Sequence, residues 1–311
     1  MLHRERLKPP KYVYPPHEWK LIEKDFYPRF LAQSETMFSL GNGYIGMRGN
    51  FDEGRPAFEK GTFVNGFYES WTIVYGEESY GFAQTGQTIV NVPDTKIINL
   101  YVDDEPFYLP TADLLSFERV LDMKNGTLDR EILWETPSGK SVSIKSRRLV
   151  SLEHRHLAAI FYEVTVLNGK APVVLSSKLV NEQGEVNDEG DPRRARGFRD
   201  RVLLPMVNYE ENQRIIFGYQ TRRSKMTLAC GMEHVLETEC SSSSKRQLSE
   251  DSGKVVFSIE AQPGLPIQLT KYITYHTSRS APPEELCGRA GRTLDRAKEQ
   301  GFSALLADQR R

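Results

Sequence analysis

The feature that most constrains this chain is alternation. In the run from Leu128 to Trp134, every second residue (Leu128, Arg130, Ile132, Trp134) faces one way, and all but Arg130 are apolar. Val142 and Ile144 alternate with Ser141, Ser143 and Lys145 in the same manner. Further short runs rich in Val, Ile, Tyr and Phe lie at 157–167, 173–180, 215–219, 255–259 and 267–275. A period of two sends successive side chains to opposite faces, which is the signature of a β-strand with one face buried. Asn125-Gly126, Pro137-Ser138-Gly139-Lys140 and Pro263-Gly264 separate such runs and read as hairpin loops. Many strands with short turns and almost no helical pattern predict antiparallel sheets packed face to face. A chain of 311 residues makes that a large all-β sandwich.

The pattern changes near the end. Ser280-Ala281-Pro282-Pro283 breaks the last strand, and Leu286, Ala290, Leu294 and Ala297 then recur on one helix face. Gly301 interrupts, and Phe302 to Arg311 begins a second helical stretch. The expected division is a strand body over 1–278 and a helical linker over 279–311, leading to a further domain. Two segments read as long loops. Glu182 to Arg201 has an acidic half followed by a basic half, and Ser241 to Asp251 is a Ser-rich turn or hairpin tip.

Charge and cysteine content narrow the function classes. A net charge of −1 gives no field to recruit nucleic acid or an anionic membrane. No apolar run approaches the ~20 residues that a membrane span needs. Three cysteines without metal-ligand spacing argue against a disulfide framework and for a reducing compartment, and the expected location is cytoplasmic.

Several short motifs need their context. Gly41-Asn42-Gly43-Tyr44-Ile45-Gly46 matches G-x-G-x-x-G, but Gly49, Gly54 and Pro56 follow and no helix can start there. The glycines are read as turn formers. Arg193-Arg194-Ala195-Arg196 follows acidic residues that neutralise it, so a self-paired loop is expected. His154 and His156 sit two apart, with no third metal ligand near them in sequence. They are read as exposed residues of a turn, which leaves a weak option for sugar epimerase chemistry with a carboxylate partner. Asn125-Gly126-Thr127 is a hairpin turn despite its glycosylation pattern. The stretch from Gly61 to Asp94 is dense in aromatic, Gly, Asn and Gln residues, a composition suited either to sugars or to a domain interface.

The residues Ser34 to Asn50 (SETMFSLGNGYIGMRGN), Gly61 to Glu69 (GTFVNGFYE) and Asn91-Val92-Pro93-Asp94 resemble the opening signatures of glycoside hydrolase family 65. Arg119 to Met123, Gly126 to Trp134, Ser146 to Ser151 and Asp191-Pro192-Arg193 extend the resemblance. That family holds maltose, kojibiose, nigerose and trehalose phosphorylases and a few hydrolases. The resemblance implies an amino-terminal β-supersandwich like that of galactose mutarotase, followed by a helical linker and an (α/α)6 catalytic barrel. It implies that the general acid and the phosphate-binding residues lie in the barrel, so no catalytic residue, metal or cofactor is assigned here.

On this reading the chain is an accessory domain of a phosphorylase acting on an α-linked glucosyl disaccharide of maltose or kojibiose type, inverting to β-glucose 1-phosphate. Its expected partners are the disaccharide and inorganic phosphate in the full-length enzyme, its own catalytic barrel, and a second copy in a homodimer. Asn65, Tyr68, Glu69 and Tyr80 are the candidate pocket-edge or barrel-facing residues. The alternatives are a free-standing carbohydrate-binding module and a mutarotase-type epimerase using His154 or His156.

Overall fold

The computed structural model describes residues 8–77, 79–182 and 201–311. In chain order the first elements are β1 (Lys20–Glu23), α1 (Leu31–Met37), β2 (Leu40–Gly41), β3 (Ile45–Met47), β4 (Thr62–Thr72) and β5 (Thr85–Asn91). There follow β6 (Ile98–Val102), β7 (Glu105–Pro106), β8 (Asp113–Asp122), β9 (Thr127–Glu135), β10 (Ser141–Val150), β11 (Leu157–Val166) and β12 (Ala171–Val180). The chain continues through β13 (Leu203–Glu211), β14 (Arg214–Thr221), β15 (Thr227–Glu237), β16 (Ser242–Leu248), β17 (Ser252–Ala261) and β18 (Ile267–Ser278). It closes with α2 (Pro283–Gln300) and α3 (Phe302–Gln309).

The strands form three antiparallel sheets. The largest runs β1-β8-β9-β10-β11-β18-β15-β14-β13, the second β16-β17-β12-β6-β7, and the smallest β2-β3-β4-β5. The hairpins β8–β9 and β9–β10 turn where the sequence places Asn125-Gly126 and Pro137 to Lys140. Pro263-Gly264 is not a hairpin loop as expected: it carries the chain from β17 in the second sheet to β18 in the large one, because these two strands pair with other neighbours. The main core lies between sheets. Ile132, Trp134, Val142, Ile144, Val164 and Val166 of the large sheet share one buried cluster with Val173, Leu175, Val255, Phe257 and Ile259 of the second. Burial of that apolar area, at roughly 25 cal/mol per Å², drives the sandwich together.

A second core sits on the opposite face of the large sheet. Leu286, Ala290, Leu294 and Ala297 of α2 are buried against Ile216, Ala229 and Tyr272. Glu284 and Glu285 in the first turn of α2 and Lys298 in its last turn complement the helix dipole.

Two further expectations need amendment, and a third falls largely outside the described residues. The Ser-rich segment is not a loop. Residues 242–248 form edge strand β16, paired with β17, and only its far end turns. Its side chains are nearly all exposed, so no apolar alternation announced it, and its Lys245 and Arg246 suit an edge that must not pair further. The two histidines are in a turn but are half-buried rather than exposed, because the β2–β3 hairpin and α2 close over them. Of the charged loop from Glu182 to Arg201, residues 183–200, with Asp191-Pro192-Arg193 and Arg193 to Arg196, lie outside the described residues.

Candidate functional site

The signature residues build one end of the molecule. Asn42 makes the β2–β3 turn. Its Oδ1 accepts the Tyr44 and Ile45 amides at 3.0 and 2.8 Å, and its Nδ2 donates to the Ser151 and Arg155 carbonyls at 2.6 and 3.1 Å. Gly43 between them has φ +84°, which an L side chain rarely adopts. The G-x-G-x-x-G match is therefore a hairpin turn pinned to the large sheet. Tyr44 extends from it to Thr277, with 3.0 Å between hydroxyls.

The segment after this hairpin crosses the inner face of the large sheet. Arg119, Arg130, Ser146 and Tyr162 are register partners on β8, β9, β10 and β11 and form one polar rung. Glu53 accepts two bonds from Arg130 at 2.7 and 2.6 Å and one from the Tyr162 hydroxyl at 2.8 Å. Asp52 binds Arg148 and accepts the Ser146 hydroxyl at 2.6 Å. Arg119 is sandwiched between the Phe38 and Phe51 rings, pairs with Glu23 at 3.0 Å and donates to the Gly49 carbonyl at 2.9 Å.

Asp52 and Glu53 escaped the sequence reading; their only signal was the nearby RGN motif. Burial raises the Asp52 carboxyl, but Arg148 and Arg130 outweigh it and hold the group below the usual range. A glycosidic general acid needs the reverse, a carboxyl kept protonated near neutral pH. This pair is a structural clamp.

The four candidate residues fall on or beyond β4. The Asn65 side chain donates to the Gly43 carbonyl at 3.1 Å and its residue is otherwise exposed. Tyr68 is half-buried, with the Arg279 guanidinium 5.7 Å from its ring centre. Glu69 is buried, and its carboxylate accepts the Ser70, Arg223 and Ser224 amides at 2.7, 2.8 and 2.6 Å, which fixes the β14–β15 turn. Tyr80 lies apart, fully exposed in the β4–β5 connection. Asn65 and Tyr68 thus share one local surface, Glu69 points inward, and Tyr80 stands on a projecting arm.

Described residues of that arm contact one another. Trp71 Nε1 donates to the Thr88 hydroxyl at 3.0 Å, Tyr75 donates to the Ala83 carbonyl at 2.9 Å, and the Tyr75 and Phe82 rings lie 4.9 Å apart. Val74 and Phe82 are nevertheless 87% and 50% exposed. A separate cleft of about 730 Å³ opens beside β6 and β7, lined by Arg55, Asn99, Tyr101, Tyr108, Glu135 and Lys178 among others.

The histidines do not assemble the epimerase constellation. His156 Nδ1 faces the Tyr275 carbonyl at 2.9 Å, and neither His154 nor His156 hydrogen-bonds a carboxylate among the described residues. No cluster of His, Cys, Asp or Glu suited to a metal occurs among those residues. No described helix is long and apolar enough to cross a membrane.

Comparison with known proteins decides the family. The profile of "Glycosyl hydrolase family 65, N-terminal domain" matches residues 21–311. The chain belongs to this family. It is 37% identical over 306 residues to an alpha,alpha-trehalose phosphorylase of Thermoanaerobacter brockii, covering 97% of this chain and 40% of that protein. A maltose phosphorylase of Bacillus subtilis is 28% identical over 290 residues, covering 92% of this chain and 36% of its own length. A solved human-microbiome protein assigned as a kojibiose phosphorylase superposes with a TM-score of 0.83 over 98% of this chain and 38% of its own. At 20% identity that match shows a shared fold. The family 65 N-terminal chain therefore spans well under half the length of these relatives.

Proposed function

We propose that this family 65 domain is the non-catalytic N-terminal module of a phosphorylase that cleaves an α-linked glucosyl disaccharide with inorganic phosphate, inverting to β-glucose 1-phosphate. The support for phosphorolysis is the naming of the relatives as trehalose, kojibiose and maltose phosphorylases. In such a reaction phosphate takes the place of the activated water of an inverting hydrolase, so one protonated carboxyl suffices as acid. The carboxylates in this chain that resemble a pair, Asp52 and Glu53, are locked to arginines.

The observation that carries the reading is the β4–β5 arm. A hairpin connection that leaves Val74, Tyr75, Tyr80 and Phe82 in solvent has the character of an interface without its partner. In this proposal it docks on the catalytic barrel and borders the substrate pocket, with Asn65 and Tyr68 behind it. The test is Tyr80→Ala with Phe82→Ala in the full-length enzyme and in this chain. The expected result is a raised KM or a lowered melting temperature in the enzyme and an unchanged melting temperature in the chain alone. Unchanged kinetics and melting in the enzyme reject the docking role. Phosphate-dependent turnover of a disaccharide by the chain alone rejects the non-catalytic assignment.

The cleft beside β6 and β7 favours a second reading, a carbohydrate-binding module. Tyr101 and Tyr108 offer aromatic faces to sugar C–H surfaces, and Asn99 and Glu135 offer polar groups to hydroxyls. Calorimetric titration of the chain with maltose tests it, and the absence of heat beyond dilution removes it.

A further inference from the structure

Positive charge collects where α2 passes the β10–β11 turn. Arg289, Arg292 and Arg296 are spaced three and four apart, so they share one exposed ridge of the helix. Facing them, the turn presents Arg155, whose guanidinium lies 4.6 Å from the Tyr44 ring centre, and His156. The His156 and His276 rings stack at 4.0 Å with 15° between planes. Thr293 donates its hydroxyl proton to the Arg289 carbonyl at 3.0 Å, so the 3.0 Å bond between His276 Nε2 and that hydroxyl has the imidazole as donor.

Between the turn and the helix lies a cleft of about 190 Å³, lined by His154, Arg155, His156, Thr293, Arg296 and the carboxylate residue Glu153 among others. Burial pushes His276 down to about 3, and the neighbouring His156 and the guanidinium charges of Arg289, Arg296 and Arg292 push it the same way. His156 is lowered likewise by burial, and by Arg155 and Arg289. Arg289 pairs with Glu285 on its own helix. Arg155, Arg292 and Arg296 have no carboxylate partner among the described residues.

Two arginines, Arg155 and Arg296, line this small concavity with His154, His156 and the Thr293 hydroxyl, a set suited to a tetrahedral oxyanion, which accepts several charge-assisted bonds at once. The cleft is of a size for a phosphate or a hexose phosphate and too small for a docked helix or strand. We propose that it is a binding site for a phosphate group, free or as a sugar ester, held between Arg155 on the turn and Arg296 on α2, with Arg292 adding positive charge from the same helix ridge. The inference rests on this charge geometry and not on the barrel-docking role, so either fails without the other.

The test is calorimetric titration of this chain with inorganic phosphate, glucose 1-phosphate and glucose at ionic strength matched with chloride. Saturable binding of phosphate or glucose 1-phosphate, and none of glucose, is the expected result. Tighter binding of the ester assigns the site to a sugar phosphate; equal affinity assigns it to the phosphate group alone. Arg155→Ala with Arg296→Ala weakens binding by about tenfold or more. Arg246→Ala, on the edge of the second sheet, binds as the unaltered chain does. Melting curves confirm that both variants remain folded. The proposal is overturned by no saturable binding at matched ionic strength, or by binding that survives the double substitution.

Discussion

Arg130 is 3% exposed between two sheets and finds its counter-charge 77 positions earlier, in Glu53. Removing the guanidinium leaves Glu53 buried with, among the described residues, only the Tyr162 hydroxyl as donor. Breaking one half of a buried pair costs roughly 3–5 kcal/mol, because the remaining charge is uncompensated. Arg130→Ala is therefore expected to lower the unfolding free energy by that amount in urea titrations. Arg147→Ala, which breaks the more exposed pair with Asp129, is expected to cost under about 1 kcal/mol. Equal small losses would show that Arg130 is not part of a clamp. The sequence revealed half of this arrangement. Arg130 stands in phase with Leu128, Ile132 and Trp134, so its inward direction was legible. Its partner was not, because nothing local links residue 53 to residue 130. The candidate site shows the same limit. The composition of β4 flagged Glu69, yet two of the three amides it binds belong to a turn 154 and 155 positions away.

At the scale of elements, legibility followed exposure. β9 and β10 have one covered face and one wetter face, and their alternation was plain. β15 was hidden for the opposite reason to β16. Its first eight residues are all buried, since the sandwich core lies on one side and α2 on the other, so no polar face marks the period. Gly231 in that strand records how close the helix comes. A Cβ there would lie 2.9 Å from Ile216 Cγ1 and 3.3 Å from Leu294 Cδ1 of α2. Gly231→Val must displace one of them, and such overpacking costs about 1–3 kcal/mol. Thermal unfolding should show that loss, while Gly46→Ala, whose Cβ meets nothing within 4 Å, should change stability by no more than about 0.5 kcal/mol. A neutral Gly231→Val would mean that α2 rests loosely on the sheet.

For the molecule as a whole, the buried titratable groups tilt stability in one direction across acid and neutral pH. Burial, then the Lys271 charge, pushes His234 down to about 3 from 6.5. Burial and neighbouring cations do the same to His276. Between those values the unfolded chain binds more protons than the folded one, so stability is lost as pH falls from 6.5 toward 3. Asp52 and Asp94 lie below 3.8, where arginines and Lys96 outweigh burial, and they add to the loss only below that value.

Lys271 acts higher on the scale. Burial pushes it down to about 7 from 10.5, and its ammonium donates to the Ile97 and Lys178 carbonyls, at 3.2 and 2.9 Å. Its contribution therefore makes stability rise with pH above 7, until the raised thiols of Cys230 and Cys287 oppose it beyond their ordinary value of 9. Urea titrations from pH 4.5 to 8.5 should give a rising curve, with a limiting slope of about 1.4 kcal/mol per pH unit for each proton. His234→Gln with His276→Gln should flatten the limb below 6.5 and leave the upper limb, whereas Lys271→Met should flatten the limb above 7 and leave the lower. Curves that stay parallel to the unaltered chain would place the pH dependence on other groups.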